Sequence, residues 1–383
     1  MKVGIVTIHQ LNHYGTVLQA FALQWKLHSL GYDSEIIDYC YPNNYHTELN
    51  NKRIAPPKIP SLSTRIINKI KIVLCGRRMM KSTELRTMRF NLFNKENIRL
   101  SDVRYSSKEE LHHTPPIYDL YLTGSDQVWN PYFMHGDTTY LLSFAPENVR
   151  RISYAASFGR NCMTDEYSNL YAKQLSKYES ISVREKSGIN IVRELTGKDA
   201  TLVLDPTLLL NSCEWNSFSS KSIINEPYIL CYILDYAFNP SPYIYDLAEQ
   251  ISNESGYKLV QIDRDNNNTP KHFKSIPVNS AGPAEFLSLF RHASLIITTS
   301  FHGTAFAVNF NKPLLSVIND EITVDCRQKN LLEVLGMEKH LIKKNSLFPS
   351  FEQSLVNYEE VNEKLDKLRK ESENYLTHAL EGS

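Results

Sequence analysis

Short β-branched and apolar runs alternate along this chain with longer stretches whose apolar residues recur at helical spacing. Lys2–Ile8 reads as a strand, Thr16–Leu30 as a helix closed by Gly31 at its C-cap, and Ser34–Tyr39 as the next strand. Strand-like runs return at Tyr118–Thr123, Arg151–Ala156, Ser180–Val183 and Thr201–Leu204, with helical patterns at Glu166–Lys177 and Glu185–Leu195. Asp205-Pro206-Thr207 and the polar stretch 211–225 break the series. It restarts with Tyr228–Leu234, Tyr243–Ser255, Lys258–Ile262, Pro283–His292, Leu295–Thr299, Thr304–Phe310 and Pro313–Ile318, and ends in a charged amphipathic helix over Glu352–Leu380. Such alternation predicts parallel sheets with helices on both faces. The expected architecture is therefore α/β, with two Rossmann-like doubly wound domains facing a central cleft. Residues 1–210 form the first domain, interrupted by an insertion at 42–115, and residues 211–383 form the second, with the long C-terminal helix.

Composition narrows the class. Lys+Arg and Asp+Glu are both 42 in 383 residues, so no net charge draws the chain to nucleic acid. The first residues enter a strand without a signal peptide, and no apolar stretch is long enough to cross a bilayer, which together point to a cytoplasmic protein. The cysteines are scattered with no C-x-x-C pair, as expected of reduced thiols without a zinc site. The insertion carries a basic stretch, Arg65 to Arg89, with Ile66, Ile67, Ile70, Val73 and Leu74 at helical spacing. It suits peripheral contact with the anionic inner face of a membrane, or equally a solvated helix packed on its own domain.

The most informative stretch is Ser300-Phe301-His302-Gly303-Thr304, between a buried strand and a helix. In open α/β sheets ligands bind outside the carboxyl ends of the strands, and the first turn of a helix favours an anion there. Gly303 would admit a ligand close to the backbone. His302 is a titratable group beside that anion site, or alternatively a satisfied structural histidine.

Three further strand ends carry candidate chemistry. Asn12-His13-Tyr14-Gly15-Thr16 is a strand–turn–helix loop with one glycine, not a dinucleotide fingerprint. It is either an ordinary capped turn or a substrate loop. Gly124-Ser125-Asp126-Gln127-Val128-Trp129-Asn130 follows a buried strand. Asp126 could accept a proton from a sugar hydroxyl, and Gln127, Trp129 and Asn130 could bind the sugar, or Asp126 could simply cap a turn. Arg160 and Arg184 both follow strands and fit a carboxylate or phosphate, with Arg327 as a further cation; Arg184-Glu185 could also be a plain surface ion pair.

Taken in order, these segments resemble the polysaccharide pyruvyl transferases. The matching blocks are Asn12 to Ala20, Gly124 to Pro131, Ser153 to Gly159, Ser182 to Glu185, Asp205 to Thr207 and Thr299 to Phe306. The resemblance implies a GT-B-like arrangement and transfer of the pyruvyl group of phosphoenolpyruvate onto a sugar, forming a ketal and releasing phosphate. Phosphoenolpyruvate is then a donor substrate and no cofactor is implied; the acceptor would be a sugar of a cell-surface polysaccharide precursor, such as a lipid-linked oligosaccharide. It assigns the donor site to His302 and Arg184. Ser300 stands where some members carry Arg, so another cation, Arg160 or Arg327, must complete that site. The expected catalytic pair is His302 as acid and Asp126 as base. The expected binding set is Arg184, Arg160, Ser300, Gly303, Thr304, Asn12, Tyr14, Gly15, Gly124, Ser125, Gln127, Trp129, Asn130 and Arg327. A glycosyltransferase using a nucleotide sugar, or a non-catalytic carbohydrate-binding relative, would share the fold.

Overall fold

The computed structural model describes residues 1–40, 81–262, 269–319 and 327–382. Two parallel sheets organise them. The first has the order β3-β2-β1-β4-β5, from β1 (Lys2–Val6), β2 (Asp33–Tyr39), β3 (Leu100–Tyr105), β4 (Leu120–Thr123) and β5 (Arg150–Ser153). A short parallel pair, β6 (Ser182–Val183) and β7 (Thr201–Leu202), extends it through bridges from Ile152 to Ser180 and from Ala156 to Val183. The second sheet has the order β10-β9-β8-β11-β12-β13, from β8 (Tyr228–Tyr232), β9 (Lys258–Gln261), β10 (Ile276–Pro277), β11 (Leu295–Thr298), β12 (Leu314–Ile318) and β13 (Leu341–Lys343). Both sheets step outward, return past their first strand and continue on the other side. This is the doubly wound topology, whose switch point lies beside β1 in one sheet and β8 in the other. The carboxyl ends of the two sheets converge, so the fold is the expected pair of Rossmann-like units in a GT-B-like arrangement.

The two units share one apolar core. Helix Tyr14–Ser29 is buried on almost its whole circumference, which is why its sequence lacks an amphipathic stripe. It packs on helix Pro206–Leu209 on one side and helix Pro283–His292 on the other. Tyr14 stacks on Phe286 with ring centroids 4.4 Å apart, and its hydroxyl donates to Ala281 O at 2.8 Å. A chain of rings continues through Phe21, Trp215 and Phe306 into the second unit. The C-terminal helix Tyr358–Glu381 lies across both halves. Tyr358 donates to Lys312 O in the second unit, whereas Tyr375 donates to Ser153 O and Lys26 pairs with Glu373 in the first.

The insertion is partly structural. Its stretch 100–105 supplies β3, the edge strand of the first sheet. The preceding helix, 81–97, buries Phe90 and Phe93 in the shared core. Two residues of the basic stretch are engaged within the molecule. The Arg86 guanidinium lies 4.9 Å from the Tyr14 ring and donates to Asn12 O, and Arg89 pairs with Glu285 at 3.3 Å. The rest of that basic stretch, residues 65–80, lies outside the described residues. Among the described residues no helix is long and apolar enough to cross a membrane.

Tyr14 is 1% exposed and stitches the two units together. Tyr14→Ala is expected to lower stability by about 3–5 kcal/mol, as other buried aromatic truncations do. Chemical denaturation of the variant against the wild-type chain measures this.

Candidate active site

The site is built where β4, β6, β7 and β11 end, beside the loop and helix that follow β1. These strands deliver polar groups to the same small volume, because the helix or turn after each starts there. At its centre is Asp205, whose side chain is fully buried. Its Oδ1 accepts from Thr207 N at 3.0 Å and Thr207 Oγ1 at 2.7 Å, capping helix Pro206–Leu209. Its Oδ2 accepts from Arg184 Nη1 at 2.6 Å and Ser125 Oγ at 3.0 Å, and lies 3.8 Å from His302 Nε2. Burial opposes the charge, but Arg184 and His302 outweigh it and hold the carboxyl below the ordinary range.

Arg184 follows β6 and is 1% exposed, so it is no surface ion pair. Its Nη2 lies 3.7 Å from Asp126 Oδ1, and its guanidinium faces the Phe301 ring at 4.6 Å. Arg327 approaches the same ring at 5.6 Å. Phe301 thus backs two cations, and Arg184, Asp205, Phe301 and Arg327 share the wall of one pocket. Arg327 thereby joins the constellation, and its charge also acts on Asp126. Arg160 stacks instead on Tyr132, with Cζ 3.4 Å from the ring centroid.

His302 lies in the first turn of helix Phe301–Asn309, which begins three residues earlier than the sequence pattern suggests. Its Nε2 is buried without a hydrogen-bond partner, and its ring packs against the backbone of Gly15. A Cβ at Gly15 would stand 2.1 Å from His302 Nδ1, so only glycine leaves room for the imidazole. Burial pushes the His302 pKa below its ordinary 6.5, although Asp205 and Asp126 pull the other way. Burial therefore favours the neutral imidazole.

Asp126 sits at φ +73°, a left-handed conformation that short acidic side chains tolerate. Its Oδ2 accepts from Thr16 Oγ1 at 2.9 Å and its Oδ1 from Gln127 N at 2.9 Å. Burial raises its pKa, yet Arg184, His302, His13 and Arg327 bring the net value down to about 2. It is a fixed negative charge and a weak base.

Several other expected contacts are structural. Ser300 caps the His302 helix by accepting from Gly303 N at 3.2 Å. Gly303 packs against Thr298 and Tyr232, so its small size serves the helix–sheet contact. Thr304 bonds to Ser300 O and Ser316 Oγ inside the core. Trp129 is fully buried with its indole N–H on Tyr140 O, so it offers no face to a sugar. Asn130 caps helix Pro131–Met134, Gly124 packs against Thr7 and Leu23, and Tyr14 lies in the core. Asn12 reaches outward to Thr87 at 3.2 Å. Gln127 meets Asn130 at 2.8 Å; turned over, its amide oxygen accepts from Arg327 Nη2 at 3.2 Å.

Sequence reasoning passed over Asp205 and Thr16, and it considered Glu185 only as the partner in an alternative surface ion pair. Glu185 is fully buried, accepts from Ser157 Oγ, Phe158 N and Gly159 N, and has its pKa raised by burial. It clamps the turn after β5.

The sequence profile of the polysaccharide pyruvyl transferases matches residues 13–321, which span every residue of this constellation except Arg327. The chain belongs to the polysaccharide pyruvyl transferase family. A comparison with curated protein sequences gives no match. Similar solved structures include a UDP-N-acetylglucosamine 2-epimerase from Listeria monocytogenes, at 14% identity and TM-score 0.48, covering 99% of this chain and 90% of that one. Another is UGT89C1 of Arabidopsis thaliana complexed with UDP-L-rhamnose, at 11% identity and TM-score 0.47, covering 97% and 94%. At these scores neither bears on the substrate of the pyruvyl transferase.

Two outcomes follow for the transferase. Asp205→Ala takes from buried Arg184 the carboxylate that accepts from it, leaving only Asp126 at 3.7 Å, and is expected to cost about 3–5 kcal/mol, whereas the double variant Arg184→Met/Asp205→Leu should recover most of it. Denaturant unfolding of both reads this directly. Gly15→Ala should displace the His302 ring and cost about 1–3 kcal/mol of stability, with the chain still folded by circular dichroism.

Proposed function

We propose that this pyruvyl transferase moves the pyruvyl group of phosphoenolpyruvate onto two hydroxyls of a sugar in a polysaccharide precursor, forming a ketal and releasing phosphate. The observation that supports it is the meeting of His302, Arg184, Asp205 and Asp126 from four strand ends, with Arg327 beside them. The donor carries a carboxylate and a phosphate, and the two guanidiniums backed by Phe301 match those anions. The scheme needs no resident cofactor.

Before the donor enters, His302 is neutral at neutral pH, because burial disfavours its charge. The donor's negative charge raises the proton affinity of the imidazole, so proton uptake accompanies donor binding. The resulting imidazolium, flanked by Asp205, gives its proton to C3 of the enol and makes C2 electrophilic. A sugar hydroxyl then adds to C2. The oxonium so formed is a strong acid, which is why a base as weak as Asp126 suffices to take its proton. The C2–O bond to phosphate breaks, a second hydroxyl closes the ketal, and its proton leaves with the phosphate.

The pH dependence carries the sign of this scheme. Above the free-enzyme pKa of His302, which lies below 6.5, each productive encounter must also take up a proton, so kcat/KM for phosphoenolpyruvate should fall as pH rises through that pKa. His302→Gln should lower kcat by about 10²–10⁴ and abolish that limb. Phosphate release across pH measures both, and a limb rising with pH in the same range would reverse the role of His302. Mass spectrometry of sugar acceptors incubated with phosphoenolpyruvate tests the reaction itself. A product gaining one pyruvyl ketal is expected. Stabilisation by nucleotide sugars alone, with no such product, would overturn the assignment.

A further inference from the structure

A second pocket, of about 550 Å³, opens at the carboxyl ends of β1 and β2. Its volume is in the range of small-ligand sites. The mechanism uses none of its residues. It is lined by His9, Gln10 and Asp38 from the sheet side, by Asn91, Asn94 and Lys95 of helix 81–97, and by Arg104 of β3. These three helix residues fall on one face, three and four positions apart.

The polar groups of the pocket are set for a ligand. Asp38 Oδ1 accepts from His9 Nε2 at 3.2 Å and from Gln10 Nε2, so the carboxylate is oriented from behind. His9 is itself fixed by Thr7 O at 3.1 Å and is 3% exposed. Asn94 Oδ1 is buried and lacks a hydrogen-bond partner. Buried polar atoms are rarely left unpaired in a folded protein without a reason.

We infer that this pocket holds a sugar ring of the acceptor glycan, with Asp38 accepting from ring hydroxyls and the amides of Asn91 and Asn94 bonding to neighbouring ones. The inference rests on the proposed reaction for its biological sense. Asp38 accepts from hydroxyl groups, carboxamides both donate and accept, and Lys95 and Arg104 add donors, which together is the mixed set that sugar hydroxyls require. Leu11 lines the pocket, and four residues later Gly15 touches His302. The same short loop therefore borders the sugar pocket and the reaction site. It is braced on the pocket side by Arg86 and Thr87, which bond to Asn12.

Ligand-detected saturation-transfer NMR on the full chain tests this. The probe is an equimolar panel of the methyl glycosides of glucose, galactose, mannose and N-acetylglucosamine. Transfer to at least one glycoside is expected, and Asp38→Asn should weaken its affinity by at least about ten-fold, the loss of a charge-assisted hydrogen bond. Asn91 and Lys95 are exposed, so Asn91→Ala/Lys95→Ala leaves the fold intact and serves if Asp38→Asn is unstable. That double variant should weaken binding by about three- to ten-fold. The rise in melting temperature with phosphoenolpyruvate should be unchanged in both variants. No transfer in the wild-type chain, or equal transfer in the variants, overturns the pocket assignment. If phosphoenolpyruvate still stabilises the wild-type chain in that case, the reaction assignment stands without it. A wild-type chain that phosphoenolpyruvate does not stabilise counts against the reaction instead.

Discussion

The ion pair between Arg184 and Asp205 is the constraint on which the rest of the site depends. Both side chains are removed from water, and neither charge is tolerable there alone. Each comes from a different segment of the chain. Arg184 stands at the end of β6, and Asp205 stands where the chain leaves the first sheet for the second. One carboxylate oxygen, Asp205 Oδ2, also takes Ser125 from the end of β4 and faces His302 from the second unit. The positions of three strand ends are thereby tied to a single atom. Such pre-orientation of charge before a substrate arrives is the usual source of catalytic power in a dry site.

The balance of charge within the site follows from this pairing. Asp126 and Asp205 hold their protons off because the guanidiniums and His302 face them. Glu185 and His302 are pushed by burial toward their neutral forms. The buried groups thus approach electrical neutrality, and the imidazole is the group whose protonation an incoming anion most readily changes. Rigidity comes from elsewhere, from the aromatic contacts of Tyr14, Phe21, Trp215, Phe286 and Phe306 that join the two units.

Much of this was legible in the sequence. The alternation of strands and helices, the two doubly wound units and the arrival of His302, Arg184 and Asp126 at strand ends follow from periodicity and position. Asp205 was not, because Asp-Pro-Thr reads locally as a helix cap, and it is one; its second oxygen is committed to residues far away in sequence. The hint lay in its place among the ordered blocks that carry the family resemblance. Trp129 misled in the opposite sense. An aromatic residue among amides looks like a sugar platform, but its indole N–H has a backbone partner in the interior. The edge strand β3 was hidden because it is mostly solvent-facing and polar. That Gly15 makes room for the His302 ring was hidden too, since it depends on what the other unit places against it.

The C-terminal helix has a consequence for biosynthesis. Tyr375 closes on Ser153 of the first sheet across 222 residues, and Arg150 reaches Ala379 and Leu380 on the same helix. A ribosome that has finished the first Rossmann-like unit has not yet made the segment that covers its edge. That unit must wait, with β5 incompletely dressed, until the second has been synthesised. Non-local closure of this kind slows folding and prolongs the exposure of apolar surface. The order of synthesis and the order of completion therefore run in opposite directions in this molecule.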